Sequence, residues 1–486
     1  MLFNSYIFIF IFLPLTFLIY FYLTSKRLVV GAKAFLVFAS LFFYSWWNII
    51  YLPLILGSIL FNFAIGASLS KDEHLKISKK TLLVFGIVFN LLLLGYFKYT
   101  DFFIYNTNLL FDSNIDLLHI VLPLGISFFT FTQIAYIVDA YRGEVKEMDY
   151  LNYSLFVTFF PHLLAGPILH HKEIMPQFNS TKNFVRNYRN IAMGIFLFSM
   201  GLFKKVIIAD TFAVWATNGF DNAEALSFLE AWATSLSYTF QLYFDFSGYT
   251  DMAIGIALMF NIKFPINFNS PYKAMDIQDF WRRWHITLSR FLKDYIYIPL
   301  GGNRKGEIRT YSNLMTTFII GGIWHGAGWT FVFWGFLHGA ALVVHRLWKS
   351  LGFSMNNILA WFVTFNFINI SWVFFRAKEW NDAIKVISGM FGLSGLILPE
   401  KYADKLSFLY SYDWIFFGKV TRHIGDGFEV LLWIIFAFLL TLFFKNSTQK
   451  LENFKFNYIT ILISTILFIG GILSLNKVSE FLYFNF

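Results

Sequence analysis

The sequence predicts an all-α polytopic membrane protein, and three observations carry that expectation. Of its 486 residues, 57% are hydrophobic and only 14% charged, whereas a soluble domain is nearer one quarter charged. Phe alone fills 65 positions, more than an ordinary soluble core absorbs. The apolar runs are long enough to span a bilayer, and Lys and Arg gather in the short connections between them. The net charge of +9 is therefore read as a positive-inside topology signal rather than a nucleic-acid surface. The chain has no cysteine, which excludes a disulfide framework and any Cys-ligated metal.

Residues 2–23 form the first expected span; they lack the basic start and small-residue cleavage site of a signal peptide. Residues 28–50 and 52–69 follow. The loop 71–80, with four lysines, is expected in the cytoplasm. Residues 81–97 return outward to a loop with Asp101, Asp112 and Asp116, which places the N-terminus outside. Residues 118–138 run back to Arg142 and Lys146. Residues 151–164 are apolar but short, and they enter the segment 161–178, where prolines, a glycine and three histidines predict a re-entrant element. Residues 191–208 exit to a loop with Asp210, Asp221 and Glu224.

Residues 228–260 exceed one straight span. A break is expected at FDFSGYTD (residues 244–251), with Asp245 and Asp251 either capping it or meeting substrate. The basic stretch 263–309 is expected at the cytoplasmic face, its amphipathic piece 280–293 lying at the interface. Residues 327–347, 358–375, 430–444 and 458–473 complete about eleven spans, with 376–428 outside and the C-terminal tail outside. No repeat of 20–50 residues is visible, which weakens an inverted-repeat transporter reading.

Ionisable groups at membrane depth are costly and mark function, so two stretches stand out: 276–304 and 321–339. His325 lies in IWHGAGW, flanked by Gly321, Gly322, Gly326 and Gly328 and walled by Trp324 and Trp329. A histidine there suits proton transfer near neutral pH; a packed, hydrogen-bonded histidine is the alternative. His285 lies 40 residues earlier on an expected helix with Trp281 and Trp284, with Arg282 one turn before it. The competing reading is an interfacial helix with lipid-facing aromatics. His338 and His345 read as peripheral. His162, His170 and His171 show no Cys or ordered carboxylate spacing, so no metal is expected there. Nucleotide-binding and nucleophile-elbow motifs are absent.

QLYFDFSGYTDMAIGIALMF, NFNSPYKAMDIQDFWRRWHITLSRFLKDYIYIPLGGNR and GGIWHGAGWTFVFWGFLHG, with FFPHLLAGPI upstream, resemble the membrane-bound O-acyltransferase superfamily. The similar branch is bacterial and includes alginate O-acetylation proteins, peptidoglycan O-acetyltransferases and the teichoic acid D-alanyl transferase. The motifs cover residues 120–345 of what reads as one domain, 1–486. The resemblance implies helices around a central funnel, His325 as the catalytic histidine and His285 as its second. It also implies a donor site including Trp324, Trp281, Arg282 and Asp245, no bound cofactor, and acetyl-CoA as acyl donor.

SEFLYFNF (residues 479–486) resembles a short acyl-carrying motif through Phe481, Tyr483 and Phe486; without the family, an interfacial aromatic anchor is the simpler reading. The reading is a bacterial inner-membrane O-acetyltransferase. It passes acetyl through Tyr483 to a periplasmic SGNH-type O-acetyltransferase partner, for peptidoglycan first and alginate or another exopolysaccharide second. A non-enzymatic transporter or export channel is the rival of another class.

Overall fold

The computed structural model describes residues 1–70, 77–145, 148–164, 166–425, 427–475 and residue 482. It is a helical protein of twenty α-helices, some extended by π or 3₁₀ turns, and one two-stranded sheet among the described residues.

A π-turn leads into α1 (Leu13–Ser25), then α2 (Val29–Ser45), α3 (Leu52–Ser70) and α4 (Lys79–Phe111). Ser78 caps α4 by accepting from Thr81 N–H, and its 33 residues run about 50 Å at the α-helical rise, well beyond a bilayer core. Exposed Leu92 and Phe85 fit a lipid-facing flank. α5 (Ile126–Tyr141) is buried along nearly its whole length. The expected broken element follows as α6 (Tyr150–Thr158), α7 (Phe160–Leu163), a non-helical turn, and α8 (His171–Asn179). α6 and α7 are packed inside the protein, where neighbours satisfy the interrupted backbone, and α8 buries one face through His171, Ile174, Met175 and Phe178.

Two expectations fail next. No loop begins at residue 208: α9 (Tyr188–Phe203) continues through a π-turn into α10 (Asp210–Thr217), so Asp210 sits on a buried helical face. α11 (Phe228–Met259) is unbroken for 32 residues. Its start carries a Ser227–Glu230 capping box, and its carboxylates need no break because the π-turn after α9 supplies cations. Lys205 Nζ lies 2.7 Å from Asp245 and 2.8 Å from Asp210; Lys204 Nζ lies 2.6 Å from Asp251. Gly248 serves close packing instead of a kink. A Cβ there would stand 2.8 Å from the Gly201 carbonyl, and one on Gly255 2.6 Å from that of Gly194, which lets α9 and α11 approach as small residues do in membranes.

α12 (Ile277–Arg283) and α13 (Ile286–Leu292) replace the single amphipathic helix expected over 280–293. They meet at His285, whose φ of 43° is left-handed, so a continuous helix is impossible there. α14 (Glu307–His325) and α15 (Trp329–Ser350) form a hairpin, followed by α16 (Asn357–Arg376) and α17 (Trp380–Met390). The connection to α18 (Glu429–Phe443) contains parallel strands β1 (Leu396–Pro399) and β2 (Ile415–Gly418), in register Leu396 to Ile415. That sheet was not foreseen. α19 (Ser447–Glu452) and α20 (Tyr458–Leu473) end the helices.

Among the described residues, six helices are long and apolar enough to cross a membrane: 8–25, 49–70, 79–111, 188–222, 329–350 and 357–376. Three shorter apolar helices, α2, α18 and α20, accompany them. The protein is multi-pass.

Candidate active site

α14 ends at His325 because Gly326 turns fully extended and Gly328 opens α15. The flanking glycines serve this hairpin: a Cβ on Gly322 would strike the Phe331 carbonyl, and one on Gly326 the Phe331 ring. The close approach that these two glycines allow is made by α15 itself.

A helix C-terminus leaves carbonyls without intrahelical partners. Here Lys98, from the middle of α4, supplies them: its Nζ donates to the Trp324 carbonyl at 2.7 Å and the His325 carbonyl at 2.9 Å. Tyr99 Oη donates to the Ile323 carbonyl beside them. No carboxylate among the described residues pairs with Lys98, and Ser127 Oγ lies 3.4 Å away. A cation facing orphan carbonyls also complements the helix dipole. In the sequence, the signal for Lys98 is its place between apolar runs.

The His325 imidazole is walled by Trp324, Trp334 and Phe375, with ring centroids 4.7, 5.1 and 5.1 Å away. Expected wall residue Trp329 instead bonds Asn106 on α4. His325, Trp324, Lys98 and Ser127 line one cavity of about 580 Å³ with Met1, Trp46, Trp47 and residues 122–128. Trp46, Trp47 and residues 122–128 fall toward the ends of the expected spans 28–50 and 118–138 that lie on the same side as the N-terminus.

His285 is wholly buried and does not line that cavity. Its Nδ1 lies 3.1 Å from Asn267 Oδ1, which also accepts from Thr287 N–H and Oγ1 at 3.2 and 2.9 Å. Its ring packs edge-on to Phe246 at 4.8 Å and reaches Trp324 at 6.5 Å. Trp324 therefore contacts both histidines, itself stacked on Phe131 at 4.8 Å. Sequence reasoning missed Asn267, whose role needs the turn at His285.

The remaining expected residues do not converge on the cavity. Trp281 Nε1 donates to His338 Nδ1 at 3.2 Å, and His338 Nε2 meets Ser371 Oγ at 3.1 Å. His338 is fully buried, which corrects its peripheral reading. Arg282 is exposed while His285 is buried, so the two do not share a face as expected. Asp245 is engaged by Lys205 and accepts the Leu482 backbone N–H at 3.1 Å. Phe481, Tyr483 and Phe486 lie outside the described residues.

A buried, aromatic-walled histidine at a cavity floor, inside a multi-pass helical bundle, defines a membrane protein with an intramembrane candidate active site. The profile of the MBOAT family, membrane-bound O-acyltransferases, matches residues 139–376, and the chain belongs to that family. It is an acyltransferase. It is 50% identical to the peptidoglycan O-acetyltransferase of Helicobacter pylori, across 100% of this chain and 98% of that one. It is 42% identical to a probable alginate O-acetylase of Pseudomonas aeruginosa (82% of this chain, 76% of that one), and 28% identical to the teichoic acid D-alanyltransferase of Streptococcus thermophilus (52% and 68%).

Proposed function

We propose that the protein transfers acetyl from cytoplasmic acetyl-CoA, across the bacterial inner membrane, for O-acetylation of peptidoglycan. The full-length similarity to a peptidoglycan O-acetyltransferase supports the acceptor over alginate, whose probable acetylase aligns less completely. The observation that carries the chemistry is His325 at the floor of the cavity, its backbone pinned by Lys98.

In this reading His325 takes the proton of an acceptor hydroxyl entering through the cavity. The freed oxygen attacks the thioester carbonyl carbon, the C–S bond breaks, and the proton passes from the imidazolium to the departing thiolate. A phenol with a pKa near 10 needs such a base at neutral pH. Tyr483 is the proposed first acceptor, and its aryl ester passes acetyl to a serine of a periplasmic SGNH-type partner. His285, held by Asn267, orients the donor from the far side of Trp324. Trp281, Arg282 and Asp245 support this arrangement from outside the cavity.

The test incubates purified full-length protein with radiolabelled acetyl-CoA and follows thiol release and label on the C-terminal peptide. Label on Tyr483 in the parent and none in His325→Ala is the expected result. Equal labelling in both removes His325 from the reaction, and an export channel would release no thiol in either.

A further inference from the structure

Asp139 ends the buried face of α5, and His170 and His171 open α8, more than 30 residues later in the sequence. The fold brings them together. His170 Nε2 lies 3.0 Å and His171 Nδ1 3.3 Å from the same carboxylate oxygen, Asp139 Oδ2. Tyr295 Oη lies 2.7 Å from that oxygen and 2.9 Å from His170 Nε2. Arg142 approaches the other oxygen, Oδ1, at 3.6 Å. The side chains of Asp139 and His171 are 1% and 5% exposed and that of His170 17%.

Three hydrogen-bond donors thus converge on one carboxylate oxygen, which offers about two lone pairs. The outer ring nitrogens, His170 Nδ1 and His171 Nε2, make no hydrogen bond among the described residues, so each ring is oriented by its inner nitrogen. A cation at the convergence resolves the crowding. Each imidazole then turns a lone pair inward, Oδ2 gives one lone pair to the cation, and its second accepts the Tyr295 hydroxyl.

The three ligand atoms lie within 4.8 Å of one another. Tetrahedral zinc with bonds of 2.0–2.1 Å sets its ligand atoms about 3.3 Å apart, close to both distances from Oδ2. The Tyr295 hydroxyl would be the outer hydrogen bond that orients a ligating carboxylate. We infer that Asp139, His170 and His171 form a binding site for one divalent transition-metal ion, zinc foremost, that ties the start of α8 to the end of α5. Two imidazoles and one carboxylate select such an ion over Mg²⁺ or Ca²⁺, which prefer all-oxygen ligand sets.

The inference is independent of the proposed reaction, and its test reads metal rather than turnover. Full-length protein purified in detergent is stripped with a chelator, reloaded with ZnCl₂, desalted and measured by elemental mass spectrometry. One equivalent of zinc in the parent, falling at least tenfold in His171→Ala and Asp139→Asn, is the expected result. His345→Ala, at a histidine outside the cluster, should retain the full equivalent. Loading the parent with CoCl₂ should give the visible d–d absorption of nitrogen-ligated cobalt, displaced by zinc. This second measurement needs no variant and stands even if the variants fail to fold. Less than a tenth of an equivalent in the reloaded parent, or no cobalt band, overturns the site, as does full zinc retention in His171→Ala.

Discussion

Lys98 Nζ donates to the backbone carbonyl of His325 at 2.9 Å, fastening the candidate general base to a helix 227 residues away. The lysine touches the peptide and not the ring, so its contribution is placement. Lys98→Met removes two charge-assisted hydrogen bonds and leaves buried carbonyls unpaired, at about 1–3 kcal/mol. A lower unfolding midpoint in detergent together with reduced transfer is expected. Unchanged values of both would show that α14 holds its end without the lysine.

His325→Ala should cost about 10²–10⁴-fold in transfer, the usual loss with a general base, while expression and donor binding stay near normal. Steady-state acetylation measured beside a donor-binding isotherm checks both halves. Activity within a few-fold of the parent would return His325 to a packing role.

His285 couples a side chain to a left-handed backbone, and the two can be separated. His285→Gly removes the imidazole and relaxes φ, whereas His285→Ala removes it and retains a backbone strained by about 1–2 kcal/mol. The alanine variant should therefore be the less stable, with transfer reduced in both. Asn267→Ala should reproduce part of that reduction, because it frees the ring without deleting it. Full activity in His285→Gly would assign the residue to the turn alone.

Lys205 sits against Asp210 and Asp245 in the interior. Removing the one cation strands two carboxylates, so Lys205→Met should destabilise by about 3–5 kcal/mol or more. Asp245→Asn should cost less, since it keeps an oxygen for the Leu482 N–H and leaves Lys205 with Asp210. Thermal unfolding that ranks them in the opposite order would place the stabilising charge elsewhere.

Tyr483→Phe deletes a single hydroxyl and keeps the aromatic ring. It should fold and bind donor as the parent does, yet pass no acetyl to the partner. Normal wall acetylation by this variant would show that acetyl moves without the tail.

Composition and charge placement determined by themselves that this is a helical, multi-pass membrane protein. Burying this much aromatic and aliphatic surface without charge has few other solutions. The motifs around His285 and His325 marked the family for the same local reason, since each is contiguous in the chain. What is discontinuous was decided only by tertiary packing. Asp245 and Asp251 argued for a broken helix until Lys204 and Lys205 of the adjoining segment met them. The glycines beside His325 allowed either backbone or ligand to come close, and the packing of α15 against Gly322 and Gly326 decided for backbone. Lys98 carried only the weak signal of a charge between apolar runs, and the roles of Asn267 and Asp139 were not legible locally, because a hydrogen-bond donor or acceptor reveals its role only through a partner that the fold brings from far along the chain.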